Sequence, residues 1–325
     1  MLALHAQTGE IREPPADLGA ARLAPDIVWI DLVKPRPSET AFVERSTGLR
    51  LPSFEDLSEI EASSRLRTEN GVLYLSAPLV HSADAANPRT TPVGFLLSAE
   101  RLVTVRFETL TAFESFGQTA QGTACETFAG LMEAIVDRIA DIVERIAGEL
   151  DMLSHRLFRS GPIDGGKHLR PARENANLRL ILRRVGASGD LASKIRDSLL
   201  GLARIVPYVA SADGSWVPDA VRHRLETARH DIASLSDYDA HLVNKVQLLL
   251  DATLGLINIE QNNIIKVLTI VSVVGVPPTL VASMYGMNFK EMPELSWAWG
   301  YPYGLALIAV SAIAPLLWFR WRGWF

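Results

Sequence analysis

Seven residues between positions 262 and 283 recur at steps of three and four: Asn262, Ile265, Leu268, Ser272, Val276, Thr279 and Ser283. On a helix this spacing places them along one face, an uncharged stripe of amide and hydroxyl oxygens interleaved with apolar groups. Small and polar residues of this kind can simply pack helices together in lipid. In several parallel copies around an axis, the same stripe becomes rings of neutral oxygens separated by apolar constrictions, the lining of a water-filled path. Neutral oxygens suit a hydrated divalent cation, because magnesium gives up its waters reluctantly and small protein cages rarely strip all of them. Asn288, just past the stripe in Gly286-Met287-Asn288, would form the outermost ring, with Gly286 permitting the tight turn that puts it there. Glu291 and Glu294 would raise the local cation concentration beside that mouth. A solubilising role in an exposed loop explains the two acids equally well.

These residues need elements that cross a membrane. Val267 to Tyr285 is nineteen residues without a charge and Pro302 to Phe319 is eighteen. As helices they measure about 27 to 29 Å, a match to a hydrocarbon core. Lys266 flanks the first segment and Arg320 and Arg322 follow the second, whereas Lys290 in the connection is opposed by Glu291 and Glu294. The charge bias puts both chain ends in the cytoplasm, making this a multi-pass protein of the inner membrane. Residues 267–285 and 302–319 are then transmembrane helices, 286–301 a periplasmic loop and 320–325 a basic cytoplasmic tail. Met1 to Pro15 carries Glu10 and Glu13 and no apolar stretch, so no secretory signal is expected there. A lone Cys125 excludes an intramolecular disulfide and fits a reducing compartment.

From Asp219 to Tyr285 the sequence reads as helix throughout, with prolines only at Pro277 and Pro278. Its first part, 219–266, is a stalk, and the whole would span about 100 Å. A helix of that length needs partners to cover it, and Leu248, Leu249, Leu254, Ile257 and Ile264 offer apolar faces, so oligomerisation is expected. Residues 1–122 read as a small α/β domain. Strand-like runs are Ile27 to Val33, Gly71 to Leu75 behind the turn signal Asn70-Gly71, Pro92 to Leu97 and Arg101 to Phe107. Ser53-Phe54-Glu55-Asp56 resembles a capped helix start. Residues 123–218 read as an antiparallel helical pair. Leu131, Ile135, Ile139, Ile142, Ile146, Leu150 and Leu153 form one stripe on the first helix, and the second is expected to break near Gly186 to Gly189. The predicted class is thus α+β with two C-terminal membrane helices.

Gly161 to Lys167 satisfies the spacing of a phosphate-binding loop, but it follows a helix instead of a strand and His168 stands where a magnesium-binding hydroxyl belongs. It reads as a turn. The net charge of −5 conceals 28 basic against 34 acidic residues before position 260. A mildly acidic soluble part without a basic patch argues against nucleic acid as a partner. His223, Glu226 and His230, near His241, could hold zinc in a membrane-anchored metal sensor, although an exposed charged helix face explains them too. No nucleophile with its base is discernible, so an enzyme is not expected.

Several runs resemble the CorA magnesium transporters: Tyr285-Gly286-Met287-Asn288-Phe289, Met292-Pro293-Glu294-Leu295 and Gly300-Tyr301-Pro302. Ile257 to Asn262, Pro277 to Ala282, Val28 to Val33 and Glu59 to Ser63 extend the resemblance over the whole chain. It implies a homopentamer with a cytoplasmic α/β funnel domain, a stalk continuous with the inner, pore-lining span, and an outer second span. Its cargo would be Mg2+, with Co2+ and Ni2+ as similar hydrated ions. It implies pore rings at Asn262, Ile265, Leu268, Val276, Thr279 and Asn288, with Ile265 and Val276 standing where several relatives carry methionine. It also implies a regulatory Mg2+ site between subunits, formed by Asp251 and a carboxylate of the neighbouring funnel domain. Glu59 is the first choice, with Asp56 and Glu61 behind it. Without the resemblance Asp251 is an isolated acid in the apolar stretch Leu248 to Leu256. Related zinc transporters share Gly-Met-Asn, so a zinc transporter of the same architecture is the rival expectation.

Overall fold

A computed structural model describes residues 1–324 apart from 16, 60, 62–64, 84–86, 160–170, 213–215, 288–291, 294 and 295, and the side chains of 159 and 171–175. The loop Gly161 to Lys167 lies outside the described residues, as do Asn288, Glu291 and Glu294. Two compact units result, one of Met1–Pro162 with Ile181–Leu250, the other of Ile163–Leu180 with Asp251–Phe325.

The first unit is built on a mixed seven-stranded sheet. Its strands are β1 (Leu2–Ala6), β2 (Ile11–Arg12), β3 (Ile27–Val33), β4 (Leu66–Glu69), β5 (Val72–His81), β6 (Arg89–Leu97) and β7 (Leu102–Arg106), in the order β2-β1-β3-β7-β6-β5-β4. Among the described strands only β3 and β7 run parallel. They sit at the centre, buried on both faces, which is why β3 reads as a nearly unbroken apolar run. Ile30, Leu32, Val103 and Val105 meet Phe42 and Val43 of helix α1 (Pro37–Thr47) and Leu57 of α2 (Phe54–Ser58). On the opposite face Phe95 packs with Phe113 of α3 (Thr111–Gly117) and Phe128 of α4 (Ala124–Arg159).

The expected start of α2 is present. Ser53 Oγ accepts the Asp56 N–H at 3.1 Å and Asp56 Oδ2 accepts the Ser53 N–H at 2.9 Å. The β4–β5 turn uses Asn70 (φ 51°) and Gly71 (φ 80°), the positive pair a tight hairpin requires. Two expectations fell short. β1 lies in a stretch that showed no apolar element, and β5 continues past Leu75 to His81 despite Pro78. Pro78 faces Pro92 across the β5–β6 ladder; β4 reaches only Leu75, and β7 pairs with β6 only from Val93. Neither proline removes a ladder bond, so the strands persist.

On α4 every residue of the expected stripe, Leu131 to Leu153, is buried. Helix α5 (Pro171–Ala210) runs through Gly186 and Gly189 without a break, correcting the expected interruption. The reason is close packing: a Cβ on Gly189 would lie 3.0 Å from Val246 Cγ1 of helix α6 (Asp219–Tyr285). Gly201 likewise lets α5 approach Ala77 of β5. Contacts to α6 ascend along α4, from Glu133–Arg224 to Asp151–Lys245, and descend along α5, from Gly189–Val246 to Arg196–Asp239. The two helices therefore run in opposite directions.

In the second unit, the C-terminal part of α6 and helix α7 (Gly300–Trp321) each contain an apolar stretch long enough to cross a membrane. None of the first stretch and 6% of the second is buried.

Candidate functional site

The stripe begins with the helix that carries it. α6 passes position 266 without interruption, so stalk and span are one element. Prolines inside a helix are costly in water, but the apolar setting around Pro277 and Pro278 offers no competing partner for the backbone. They leave the carbonyls of Val273 and Val274 without their i+4 donors. All seven stripe residues are exposed in the single chain; Ile265, Leu268 and Val276 are 54%, 65% and 62% accessible. Ser272, Val276, Thr279 and Ser283 line one shallow groove together with Gly275.

Hydroxyl chemistry along this face is polarised. Thr279 Oγ1 donates its hydrogen to the Gly275 carbonyl at 2.8 Å, so its lone pairs are what the side chain presents outward. Thr269 Oγ1 does the same to Ile265 at 2.8 Å. Thr269 was missed in the sequence, although it falls seven residues after Asn262 and three before Ser272, and so shares the face. Asp251 also belongs to it. Eleven residues, about three turns, separate Asp251 from Asn262, and Asp251 is exposed.

The C-terminal end of α6 closes by Gly286 N–H donating to Ala282 O at 3.0 Å and Met287 N–H to Met284 O at 3.3 Å. Gly286 keeps negative φ, and its value is space, since a Cβ there would stand 3.3 Å from the Ala282 carbonyl. Beyond the connection Trp297 and Tyr303 pack at 5.9 Å, and Trp299 and Tyr301 are exposed, an aromatic belt for a membrane interface. At the C-terminal end of α7, Trp318, Trp321 and Trp324 alternate with Arg320 and Arg322 along the chain, and the Arg322 guanidinium lies 5.5 Å from the Trp318 ring centre.

The proposed regulatory acids are differently placed. Glu59 ends α2, its carbonyl accepts Arg65 Nε at 2.8 Å, and it lines a pocket with Asp56, Arg65 and Arg67. Asp56 is committed to its cap, and the Ser53 backbone N–H and hydroxyl hold its carboxyl below the usual range. Glu61 is exposed. Of the apolar residues expected to face partners, Leu248, Leu254 and Ile264 are exposed, whereas Leu249 is buried within its own unit. Glu226 is gripped by Arg229 at 2.5 and 2.9 Å, with His230 at 3.5 Å. Among the described residues no three His, Cys, Asp or Glu side chains form a metal-binding group.

Residues 25–321 match the family model of the CorA-like Mg2+ transporter protein. The chain is 32% identical over 303 residues to the magnesium transport protein CorA of Yersinia pseudotuberculosis, covering 91% of this chain and 92% of that one. It is 33% identical to the protein of that name from Escherichia coli, with the same coverage. The complete structure of a CorA magnesium transporter from Methanocaldococcus jannaschii matches with a TM-score of 0.74 and 18% identity, over 100% of this chain and 99% of the other.

Proposed function

The chain belongs to the CorA-like Mg2+ transporter family and carries Mg2+ across the membrane, and we propose that it does so along the α6 stripe of a parallel homopentamer. The observation that carries this reading is the stripe itself: polar, uncharged, continuous with the stalk, and uncovered in the single chain. Brought around an axis, Thr279, Ser283, Ser272 and Asn262 would offer acceptor oxygens to the water shell of the ion. Leu268, Ile265 and Val276 would form constrictions that gate by excluding water. The β-branched Ile265 and Val276 make that gate stiffer than an unbranched side chain would. Asn288 would receive the ion outside, with Gly286 and Met287 shaping the turn and Glu291 and Glu294 concentrating cations there. Both termini lie in the cytoplasm in this arrangement, and Co2+ and Ni2+, as similar hydrated ions, would share the path.

Two roles compete for Asp251. In one, it and Glu59 of a neighbouring copy hold a regulatory Mg2+, cancelling carboxylate repulsion and keeping the pore closed. Two carboxylates suit an ion that retains most of its waters, and Glu59 is a better ligand than the capped Asp56. The guanidinium groups of Arg65 and Arg67 beside Glu59 oppose a cation. In the other, the helical register favours a carboxylate ring at the inner mouth of the path.

Uptake into proteoliposomes is the test, with Mg2+, Co2+, Ni2+ and Zn2+ compared with and without a pH gradient. Asn288→Ala should abolish uptake and leave the oligomer intact; retained transport sinks the assigned mouth. Zn2+ uptake in preference to Mg2+ would establish the zinc reading, which the names of the relatives disfavour. If Asp251→Asn with Glu59→Gln leaves inhibition by internal Mg2+ unchanged, that pair is not the sensor. A reduced rate with inhibition intact would assign Asp251 to the inner mouth.

A further inference from the structure

The inner end of the stripe has a cation beside it that the transport path does not use. Lys266 follows Asn262 by one helical turn, at the edge of the stripe. Its Nζ lies 5.7 Å from the ring centre of Trp324, within cation–π range. Trp324 is brought there by a specific turn. Gly323 adopts φ 72°, the Trp324 N–H donates to the Phe319 carbonyl at 3.0 Å, and the Trp324 ring packs on Phe319 at 5.0 Å. Phe319 is only 2% exposed, so the turn rests on an anchored residue. Trp324 shares a shallow groove with Asn262, Ile265, Lys266 and Thr269.

We propose that Trp324 is a positioning residue for ion passage, fixing the Lys266 ammonium on its ring face, against the C-terminal turn, and so keeping it from swinging into the path. The inference rests on the path reading above. Lysine is a point charge on a flexible four-carbon stem. Released, it reaches the neighbourhood of Asn262, where ammonium groups from several copies would repel a divalent cation in a low-dielectric setting. Stacked on an indole that the Gly323 turn holds in place, the same charge is fixed against the end of α7. A lysine beside a neutral filter is thereby tolerated, and Lys266 can still mark the cytoplasmic membrane edge.

Initial Mg2+ uptake by the full chain in proteoliposomes tests this, with assembly of every variant checked by size exclusion in detergent. Trp324→Leu keeps apolar bulk against Phe319 but removes the π face, and should lower uptake about fivefold, the population shift that a contact of this kind sustains. Trp324→Phe, which keeps a ring, should stay within about twofold of the parent. The decisive arm is Lys266→Met combined with Trp324→Leu, which should restore uptake because the charge to be held is gone. Trp324→Met serves where Trp324→Leu does not assemble. Unchanged uptake in Trp324→Leu overturns the proposal, and so does a double variant as slow as the single one, which would make Trp324 a packing residue. Absence of uptake by the parent chain would sink the path reading and this inference together, whereas parental uptake insensitive to Trp324 would sink this inference alone.

Discussion

Trp29 and Leu268 are both large apolar side chains on regular elements, yet the first is 1% exposed and the second 65%. Trp29 sits in a sheet whose two faces are covered by helices of the same unit. Its indole N–H donates to Thr104 Oγ1 at 3.0 Å, which in turn donates to Asp31 Oδ1 at 2.7 Å. Asp31 also receives Arg106 Nη2 at 2.8 Å, and the guanidinium lies over Phe113. Every group is enclosed by its own chain. Leu268, in contrast, belongs to a helix whose apolar stretch is wholly uncovered. The first unit encloses its own apolar side chains; the second leaves the apolar stretches of α6 and α7 open, and the proposed function relies on that open surface.

The sharpest way to break that contrast is to remove one partner of the enclosed charge pair. Arg106→Met leaves Asp31 buried without its cation and should cost about 3–5 kcal/mol in chemical denaturation of the full chain in detergent, followed by indole fluorescence. Leu268→Ala deletes more apolar bulk from the stripe. The same measurement should change by less than about 0.5 kcal/mol, because that side chain is largely exposed in the single chain. The pore reading places its effect instead in a raised resting leak of Mg2+. Equal destabilisation by the two variants would mean that the units do not differ as described.

A smaller contrast uses one substitution at two glycines. At Gly201 an added Cβ would stand 2.7 Å from Ala77 Cβ and 3.3 Å from its Cα, so α5 or β5 must shift. Gly201→Ala should cost about 1–3 kcal/mol, the usual toll of overpacking. Gly275 has open space around it, and Gly275→Ala should leave stability unchanged or raise it by up to about 1 kcal/mol through helix propensity. If Gly275→Ala also slows Mg2+ uptake, the open space is occupied by a neighbouring copy in the assembled protein.

What the sequence disclosed follows the same division. The long helix was legible to its last residue, Tyr285, because period and proline placement are local signals. So were the Asn70-Gly71 turn and the Ser53 cap, each fixed by residues within four positions of one another. β1 was not, since Leu2 to Ala6 is too short to show a period and owes its strand to β3, more than twenty residues away. Gly186 and Gly189 were misread as a break because the partner that explains Gly189, Val246, is remote in the sequence. On α6, the exposed face was visible as spacing, and Thr269 could have been placed on it by the same rule, whereas the close Ala282 carbonyl that explains Gly286 was not. The stacking of Trp324 on Lys266 could not, because it depends on a turn at Gly323 and a crossing of two helices.

The smallest expected effect concerns His5, on the strand that the sequence concealed. Its ring stacks on Trp29 at 4.1 Å, and its buried Nδ1 has no hydrogen-bond partner among the described residues. Burial holds its pKa below the ordinary 6.5, with the Asp31 carboxylate pulling the other way and losing. The folded state therefore binds the His5 proton more weakly than the unfolded state does. By linkage the stability tied to His5 is complete above pH 6.5 and is lost as the pH falls through 6.5 toward the lower folded value. A His5→Phe variant keeps a ring on Trp29 but has nothing to protonate, so its stability should fall less between pH 7.5 and pH 5.5, a window of about two units around the free histidine pKa. Denaturation midpoints of the two proteins at both values decide the matter. Parallel losses would show that the stacked, enclosed ring of His5 is protonated as readily as a free one, and that the sheet unit is less sealed than its packing implies.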